Sequence, residues 1–515
     1  MLIKDAILQL PQRADKNDDN TLVSTFVQVG ALMPLLLSKN NHILFGRRGT
    51  GKTHVLKYLK KSLEEKGDIG IYIDMRLLGS YNSIYSNTSI PLTQRTLRIL
   101  SDVIKEIHDG IVSYITAQED CSELAAKIVS LLGKLVLFTS EEQMTGEHSI
   151  KKISLSSETD EKQISVIAAI QPSLEAGRKT GRKQEYAKEE TSTGIPEMYM
   201  DYQSVYACLY EVTQVLFPKK IWVLVDEFSE VDPELQVILA DMFKRVFAPN
   251  NNIIFKIAAI EHRSHFIQHT DKGGYYGLEV GADVSSCNLD NYLVFGNNEA
   301  IACRFYRELL LAHVNSMLNP EDRLKDSDEL IAQLFTQENA FIELVDASEG
   351  VPRDAFNILS KAITIDYYNK VSIPALRKAA RLWYVEDKQA NVISFQGAYD
   401  FLSWIIAEVI NNRHAKAFLL KSGTQQELIN YLYDARILHI IKQSISSRDT
   451  PGERYDVYSI DYGCYCDLIN TAKQPKGLFE AIDDSDEEMF VEVPKDDYRS
   501  IRRAILDISA CPFIK

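Results

Sequence analysis

The run HILFGRRGTGKT at residues 42 to 53 constrains this chain more than any other feature. Gly46, Gly51, Lys52 and Thr53 fit the pattern G-x-x-x-x-G-K-[ST]. The apolar HILF predicts a short strand. The following THVLKYLKKSLEEKG carries Val55, Leu56, Leu59 and Leu63 at helical spacing and stops at Gly67. Strand, glycine-rich loop, helix is the order that phosphate binding needs. Glycines let backbone N–H groups approach the β- and γ-phosphates, and the helix start adds its positive dipole end. Lys52 is then placed to reach the β- and γ-phosphates, and Thr53 to ligate Mg²⁺. Gly49, Thr50 and His54 complete the candidate nucleotide contacts. Arg47 and Arg48 join them as residues that could serve a phosphate or a neighbouring subunit, with a solvated loop as the bland alternative.

A phosphate loop needs a second strand to hold the metal, and KKIWVLVDEFSEVDPELQ supplies one. Residues 221 to 225 are a continuous apolar run, as in a strand buried on both faces of a parallel sheet. It ends in Asp226, the candidate Mg²⁺ carboxylate, and Glu227, which is placed to orient and polarise an attacking water. A third strand is expected over residues 253 to 260, apolar except for Lys256. Glu261, His262 and Arg263 follow its carboxyl end, where ligands bind in such sheets.

Near residue 350 comes ASEGVPRDAFNILSKAI. Gly350 and Pro352 break the chain, and Ala355, Phe356, Leu359 and Ala362 then form a helical stripe. With this fourth segment the ordered set GRRGTGKT, WVLVDEF, IAAIEHRS and GVPRDAFNIL resembles the AAA+ ATPases, most closely the origin-recognition initiator type. The resemblance covers roughly residues 21 to 385. It implies ATP and Mg²⁺ as cofactors, slow hydrolysis to ADP and phosphate, and a site between core and lid that a neighbouring subunit completes. It also implies that Arg353, at the start of a lid helix, contacts the γ-phosphate. Glu261 aligns with the sensor-1 position, where the family usually carries Asn, Thr or Ser. A carboxylate there would repel the phosphate unless paired, so it is a candidate catalytic residue that departs from the pattern. The family's arginine finger has no clean match; Arg263 and Arg245 are the candidates.

The expected fold class is α/β: a P-loop AAA+ parallel-sheet core with a helical lid, followed by a winged-helix-like α+β domain. The chain of 515 residues is too long for one core and divides as follows. An N-terminal tail covers residues 1–20. The core spans 21–295, with an insertion at about 81–200 expected to hold two helices and two polar, flexible stretches. The lid covers 296–388, the winged-helix-like domain 389–475, and an acidic loop with a short helix near 498 to 508 closes the chain at 476–515. In the fourth unit, TQQELINYLYDARILHIIKQ reads as a helix with a capping box from Thr424 to Glu427, running into a strand. DTPGERYDVYSID supplies a hairpin turn and another strand.

Charge bears on partners. The net charge of −15 denies the chain a globally basic surface for nucleic acid. In the winged-helix-like region, acidic Glu427, Asp434, Glu453, Asp456 and Asp461 outnumber basic Arg436, Lys442, Arg448 and Arg454. RKTGRK at residues 178 to 183 is a local basic run that could touch nucleic acid, and it reads best as a solvated loop. A DNA-binding initiator or transposition-type loader, its winged helix reading double-stranded DNA, is thus an alternative without support from net charge. A homo-oligomer or a complex with a protein partner is the leading expectation, and a signalling or defence scaffold regulated by ATP is a third. No apolar run approaches the ~18 residues of a membrane span. That absence and the lack of a signal-peptide pattern predict a cytoplasmic protein with no membrane partner. The seven cysteines are irregularly spaced, and Cys464 and Cys466 read as buried reduced thiols on a strand.

Overall fold

The computed structural model describes the chain apart from residues 1, 12–15, 17, 79–86, 88, 118–121, 141, 146–150, 153–194, 272, 294–298, 425, 447–451, 470–504 and 514–515. Its centre is a five-stranded sheet of β1 (His42–Phe45), β2 (Ile69–Asp74), β3 (Ile221–Asp226), β4 (Ile253–Ala259) and β5 (Ser285–Asn288). The order is β5-β1-β4-β3-β2, and every pair is parallel. Phe45 lies opposite Ala259, and Asp74 opposite Asp226. The carboxyl ends of β1, β2, β3 and β4 therefore meet along one edge, where a ligand crevice is expected.

Both faces of the sheet are covered, and the alternation of side chains shows how. Ile43, Val223, Phe255 and Ile257 point into one apolar layer, Leu44, Leu224, Ile254 and Ala258 into the other. The phosphate-loop helix α2 (Lys52–Glu65) fills the second layer with Val55, Leu56, Leu59 and Leu63. The first is filled by α3 (Leu92–Thr116), α4 (Ser122–Ser140), α5 (Tyr202–Leu216) and α6 (Pro233–Val246). α3 and α4 are the two helices expected in the insertion. Lys256 is the one charge inside β4; its ammonium is fully buried and donates to the Ser38 and Asn40 carbonyls at 2.9 and 2.6 Å. Burial pushes its pKa down to about 7.

The insertion also holds a small antiparallel sheet of Glu142–Thr145, Lys151–Lys152 and Ile195–Met198, where part of a flexible stretch was expected. RKTGRK and most of the two polar stretches lie outside the described residues, as does the acidic loop. The N-terminal tail contains a helix, α1 (Ile3–Gln9), with Ala6 and Ile7 buried against the lid. The Lys4 ammonium reaches the Tyr367 carbonyl at 2.6 Å, and the Tyr367 hydroxyl donates to Asp5 at 2.5 Å.

The lid comprises α7 (Glu299–Met317), α8 (Ser327–Leu334), α9 (Glu338–Ser348), α10 (Pro352–Ile365) and α11 (Ile373–Trp383). After it come α12 (Ala398–Ile405), β6 (Ala417–Lys421), α13 (Glu427–Asp434), β7 (Leu438–Ser446) and β8 (Arg454–Ile460). The last three strands form an antiparallel sheet in the order β6-β8-β7, the winged-helix-like α+β unit. The lid and this unit were expected as separate domains, yet one apolar core runs through both, from Leu310, Leu344 and Leu359 to Phe401, Phe418, Leu432 and Ile460. The capping box does not form: Gln426 precedes α13 without a side-chain cap, and the Thr424 hydroxyl donates to the Lys421 carbonyl at 2.6 Å instead. The terminal helix expected near 498 to 508 lies mostly outside the described residues. Its described residues 505 to 507 are extended, with Leu506 N–H donating to the Leu419 carbonyl at 2.9 Å, before a 3₁₀ turn at Ile508–Ala510. Cys464 and Cys466 sit in consecutive 3₁₀ turns rather than on a strand, as free thiols whose pKa burial pushes up. Among the described residues no helix is long and apolar enough to cross a membrane.

Candidate functional site

A cavity of about 570 Å³ opens at the carboxyl edge of the sheet, between core and lid. Its floor is the loop between β1 and α2. Gly51, at φ +101°, caps α2, and Gly49 has φ +89°. Both values lie in the left-handed region that glycine tolerates and side chains resist. Gly49 is also fixed by contact: a Cβ there would stand 2.7 Å from the Cβ of Arg353. Its carbonyl accepts the Arg353 N–H at 3.3 Å. The loop and the lid helix α10 therefore touch at the position where sequence reasoning placed the lid arginine. Arg353, Lys52, Thr53, His54 and Glu227 all line the same cavity.

Lys52 is buried, and its ammonium donates to the carbonyls of Gly46 at 2.7 Å and Arg47 at 3.1 Å. Burial lowers its pKa; the carboxylates of Glu227 and Asp226 oppose that shift. The Thr53 hydroxyl donates to Asp226 Oδ2 at 2.6 Å. Two oxygen ligands side by side suit a hard cation such as Mg²⁺, which takes few protein ligands and completes its shell with water and phosphate. Among the described residues no group of three or more His, Cys, Asp or Glu side chains forms a metal cage, and such a Mg²⁺ site needs none.

Glu227 follows β3 with φ +55°, an uncommon conformation for a residue with a side chain. Strain of this kind collects at functional sites when the surroundings over-determine it. Here Asp226 Oδ1 accepts the Glu227 N–H at 2.8 Å. Burial, then the neighbouring Asp226, raises the Glu227 pKa, while Lys52 and Arg76 pull it down. Arg76 stands 3.8 Å from the Glu227 carboxylate and is paired with Asp74 at 2.6 Å.

Two polar residues here were missed in the sequence. Tyr72 donates its hydroxyl to Asp226 Oδ2 at 2.8 Å, and Arg76 lines the cavity. Both belong to or follow β2, whose carboxyl end lies beside that of β3, so the adjacency of strands was the signal. The upper wall was missed too. Ile7, Leu8 and Leu10 come from the N-terminal segment, and His313 and Phe356 from the lid. A smaller apolar recess of about 90 Å³ adjoins the cavity at Gly51, His54 and Phe356 and is walled by Val27, Val29 and Tyr292. An apolar recess beside a polar floor can seat a heteroaromatic base next to its phosphates. His54 donates through Nε2 to the Leu22 carbonyl at 2.5 Å, and its ring meets His313 edge to face at 6.1 Å.

Three expectations need correction. The Arg47 side chain turns away from the cavity: it is 1% exposed, with Nε donating to Asp290 Oδ1 at 2.7 Å and a second nitrogen donating to His439 Nδ1 at 2.8 Å. Glu261 also lies outside the cavity, accepting from Asn288 Nδ2 at 2.9 Å; burial and then Asp290 raise its pKa. Arg263 faces Asp434 of α13 at 3.7 Å. Polar partners elsewhere hold these side chains off the nucleotide edge: Asp290 and His439 for Arg47, Asn288 for Glu261 and Asp434 for Arg263. Arg48 lines the cavity and pairs with Glu230 at 2.7 Å, while Arg245 is exposed on α6 and pairs with Asp241 at 2.6 Å. Thr50 is buried, its hydroxyl donating to the Arg47 carbonyl at 2.9 Å.

No curated protein matches the sequence. A solved structure of the Aeropyrum pernix ORC1 protein in complex with DNA is 12% identical, with 89% of this chain and 93% of that chain aligned at a TM-score of 0.32. The family model described as ORC-CDC6-like matches residues 10–342, well over half of the sequence, and the chain belongs to that family.

Proposed function

We propose that this chain is a nucleotide-dependent AAA+ switch that binds ATP with Mg²⁺, hydrolyses it slowly, and assembles with further copies or with a protein partner. The observation that carries the reading is convergence. Lys52, the Thr53–Asp226 pair, Glu227 and Arg353 come from separate segments and line or adjoin one cavity at the carboxyl edge of a parallel sheet. In this reading Gly46, Gly49, Thr50 and Gly51 shape the phosphate loop, and Lys52 compensates phosphate charge. Thr53 and Asp226 hold Mg²⁺, which when bound neutralises charge on the phosphates. Glu227 orients the attacking water and accepts its proton, and Arg353 joins the γ-phosphate to the lid. Arg48 stands at the cavity mouth, available to phosphate or to a neighbouring subunit, and His54 flanks the base. Glu261 is left out of the phosphate contacts.

A protein partner is favoured over duplex DNA because α13, the helix before the hairpin strands β7 and β8, is short, carries Glu427 and Asp434, and buries Tyr433 and Asp434 against its surroundings. The test is paired. Lys52→Ala should abolish measurable binding of a fluorescent ATP analogue. Glu227→Gln should bind it as wild type does while phosphate release falls about 100-fold or more, the range lost with a general base. Wild-type affinity in the first variant or surviving turnover in the second would refute the assignment.

A further inference from the structure

Arg47 belongs to the phosphate loop by its backbone and to the C-terminal unit by its side chain. Its carbonyl accepts from both the Thr50 hydroxyl and the Lys52 ammonium, at 2.9 and 3.1 Å. Its N–H and Nε are clamped by the two oxygens of Asp290, at 2.9 and 2.7 Å. The far end of the guanidinium enters the winged-helix-like unit. There it donates to the Leu438 carbonyl at 3.3 Å and His439 Nδ1 at 2.8 Å, and lies 4.9 Å from the Tyr433 ring centre. Because Arg47 can only donate, His439 Nδ1 must accept, which leaves the imidazole proton on Nε2. That nitrogen lies 3.4 Å from Asp461.

From Asp461 the charges run on into the lid. Asp461 pairs with Lys388, and Lys388 stands 3.0 Å from Asp354. Asp354 also pairs with Arg436 and directly follows Arg353 on α10. The backbone of Arg353 returns to the phosphate loop at Gly49. The circuit therefore closes: phosphate loop, β7, the end of β8, the π-helix that continues α11 over Tyr384–Gln389, the start of α10, and the loop again. His439, Asp461, Lys388 and Asp354 are each 2% exposed or less. Buried charges so arranged are costly to separate, so a shift of one member is felt by its neighbours.

We propose that the C-terminal unit is a built-in positioning element for the phosphate loop, acting through Arg47 and His439, so that its docking sets nucleotide affinity and nucleotide in turn strengthens its docking. Arg47 is here a positioning residue, which acts through Lys52. The reciprocity follows from linkage: whatever docking adds to nucleotide affinity, nucleotide adds to docking. The inference rests on the nucleotide reading above.

The experiment uses the full chain and a fluorescent ATP analogue. His439→Leu, which removes the acceptor, should weaken binding about tenfold, within the range usual for coupling between two sites. His439→Gln, which restores an acceptor, should recover most of it. In an Arg47→Leu background, His439→Leu should add little, since the two act as one link. Leu402→Ala, in the same apolar core but off the circuit, serves as a stability control. It should lower the melting temperature without a comparable loss of affinity. If His439→Leu melts lower yet binds as wild type, docking is structural only and the proposal is overturned. If wild type itself binds no nucleotide, the reading beneath it fails as well, a distinct result. Should His439→Leu not fold, amide exchange on wild type decides: nucleotide should slow exchange across residues 436 to 440, and unchanged exchange overturns the proposal.

Discussion

Glu227 stands between two opposing influences, and pH separates them. Burial and Asp226 raise its pKa, whereas Lys52 and Arg76 lower it, and the balance lies above the ordinary carboxylate value. A base must be ionised to accept a proton. Turnover should therefore fall as pH drops through the raised value, at a higher pH than an ordinary glutamate would give. The pH profile of phosphate release measures this, with analogue binding followed in parallel. An acid limb in turnover that is absent from binding identifies Glu227. Identical limbs in both would place the titration on another group. At this scale the sequence anticipated which residues would come together: Lys52, Thr53 and Glu227 line one cavity, and Asp226 accepts from Thr53. It misled where a side chain had two directions to choose from. Arg47 and Glu261 sit at the right sequence positions for phosphate. Asp290, Asn288 and His439 claim them instead, and these lie 27 to 392 residues away in the chain.

At the scale of single elements, α13 shows what periodicity conveys and what it leaves out. The helix, the strand that follows it and the hairpin to the next strand were readable from apolar spacing and the turn residues. That α13 would dock on the ATPase core was not, because docking depends on partners far along the chain. His262 meets Tyr433 edge to face at 5.5 Å, and Arg263 faces Asp434 at 3.7 Å. Burial raises the Asp434 pKa from the ordinary 3.8 to about 7, with Arg263 and Arg47 only partly offsetting it. Between those values the folded chain holds more protons at this site than the unfolded chain. Asp434 therefore subtracts stability as pH rises through that window. Asp434→Asn removes the titration and keeps the shape. The melting temperature of the variant relative to wild type should climb from pH 4 to pH 7 and level off above it. A constant difference across that range would show that Asp434 titrates normally and that α13 is not buried in solution as it is here.

For the whole molecule, the shared core of lid and C-terminal unit matters more than either domain boundary. Leu359 of α10 and Phe401 of α12 belong to one apolar cluster, so parting α10 from the winged-helix-like unit would expose that core to water, which favours their moving together. A ligand that draws α10 toward the phosphate loop then moves the C-terminal unit with it. Arg353 is placed to sense that ligand, because it starts α10 and its backbone already touches Gly49. A ligand shifts a conformational equilibrium only by its differential affinity for the two states. An arginine beside the γ-phosphate contacts ATP and has less to hold in ADP, which supplies that difference. One such charge-assisted contact should be worth about 1.5–3 kcal/mol in the closed state. Net charge adds a second condition. Copies each carrying −15 repel one another at low ionic strength, so association should strengthen as salt rises from low to moderate. Binding to duplex DNA would respond in the opposite direction, weakening steeply over the same range. Sedimentation of wild type and Arg353→Ala, each with ATP and Mg²⁺ or with ADP, therefore tests the switch. A second series across salt, with and without duplex, separates the partners. Wild type should gain mass with ATP, more so at moderate salt, and Arg353→Ala should stay at its ADP mass under both nucleotides. If the variant assembles as wild type does, or if wild type has one mass throughout, lid closure does not drive assembly. Duplex binding that weakens steeply with salt would make DNA the partner and overturn the preference for protein.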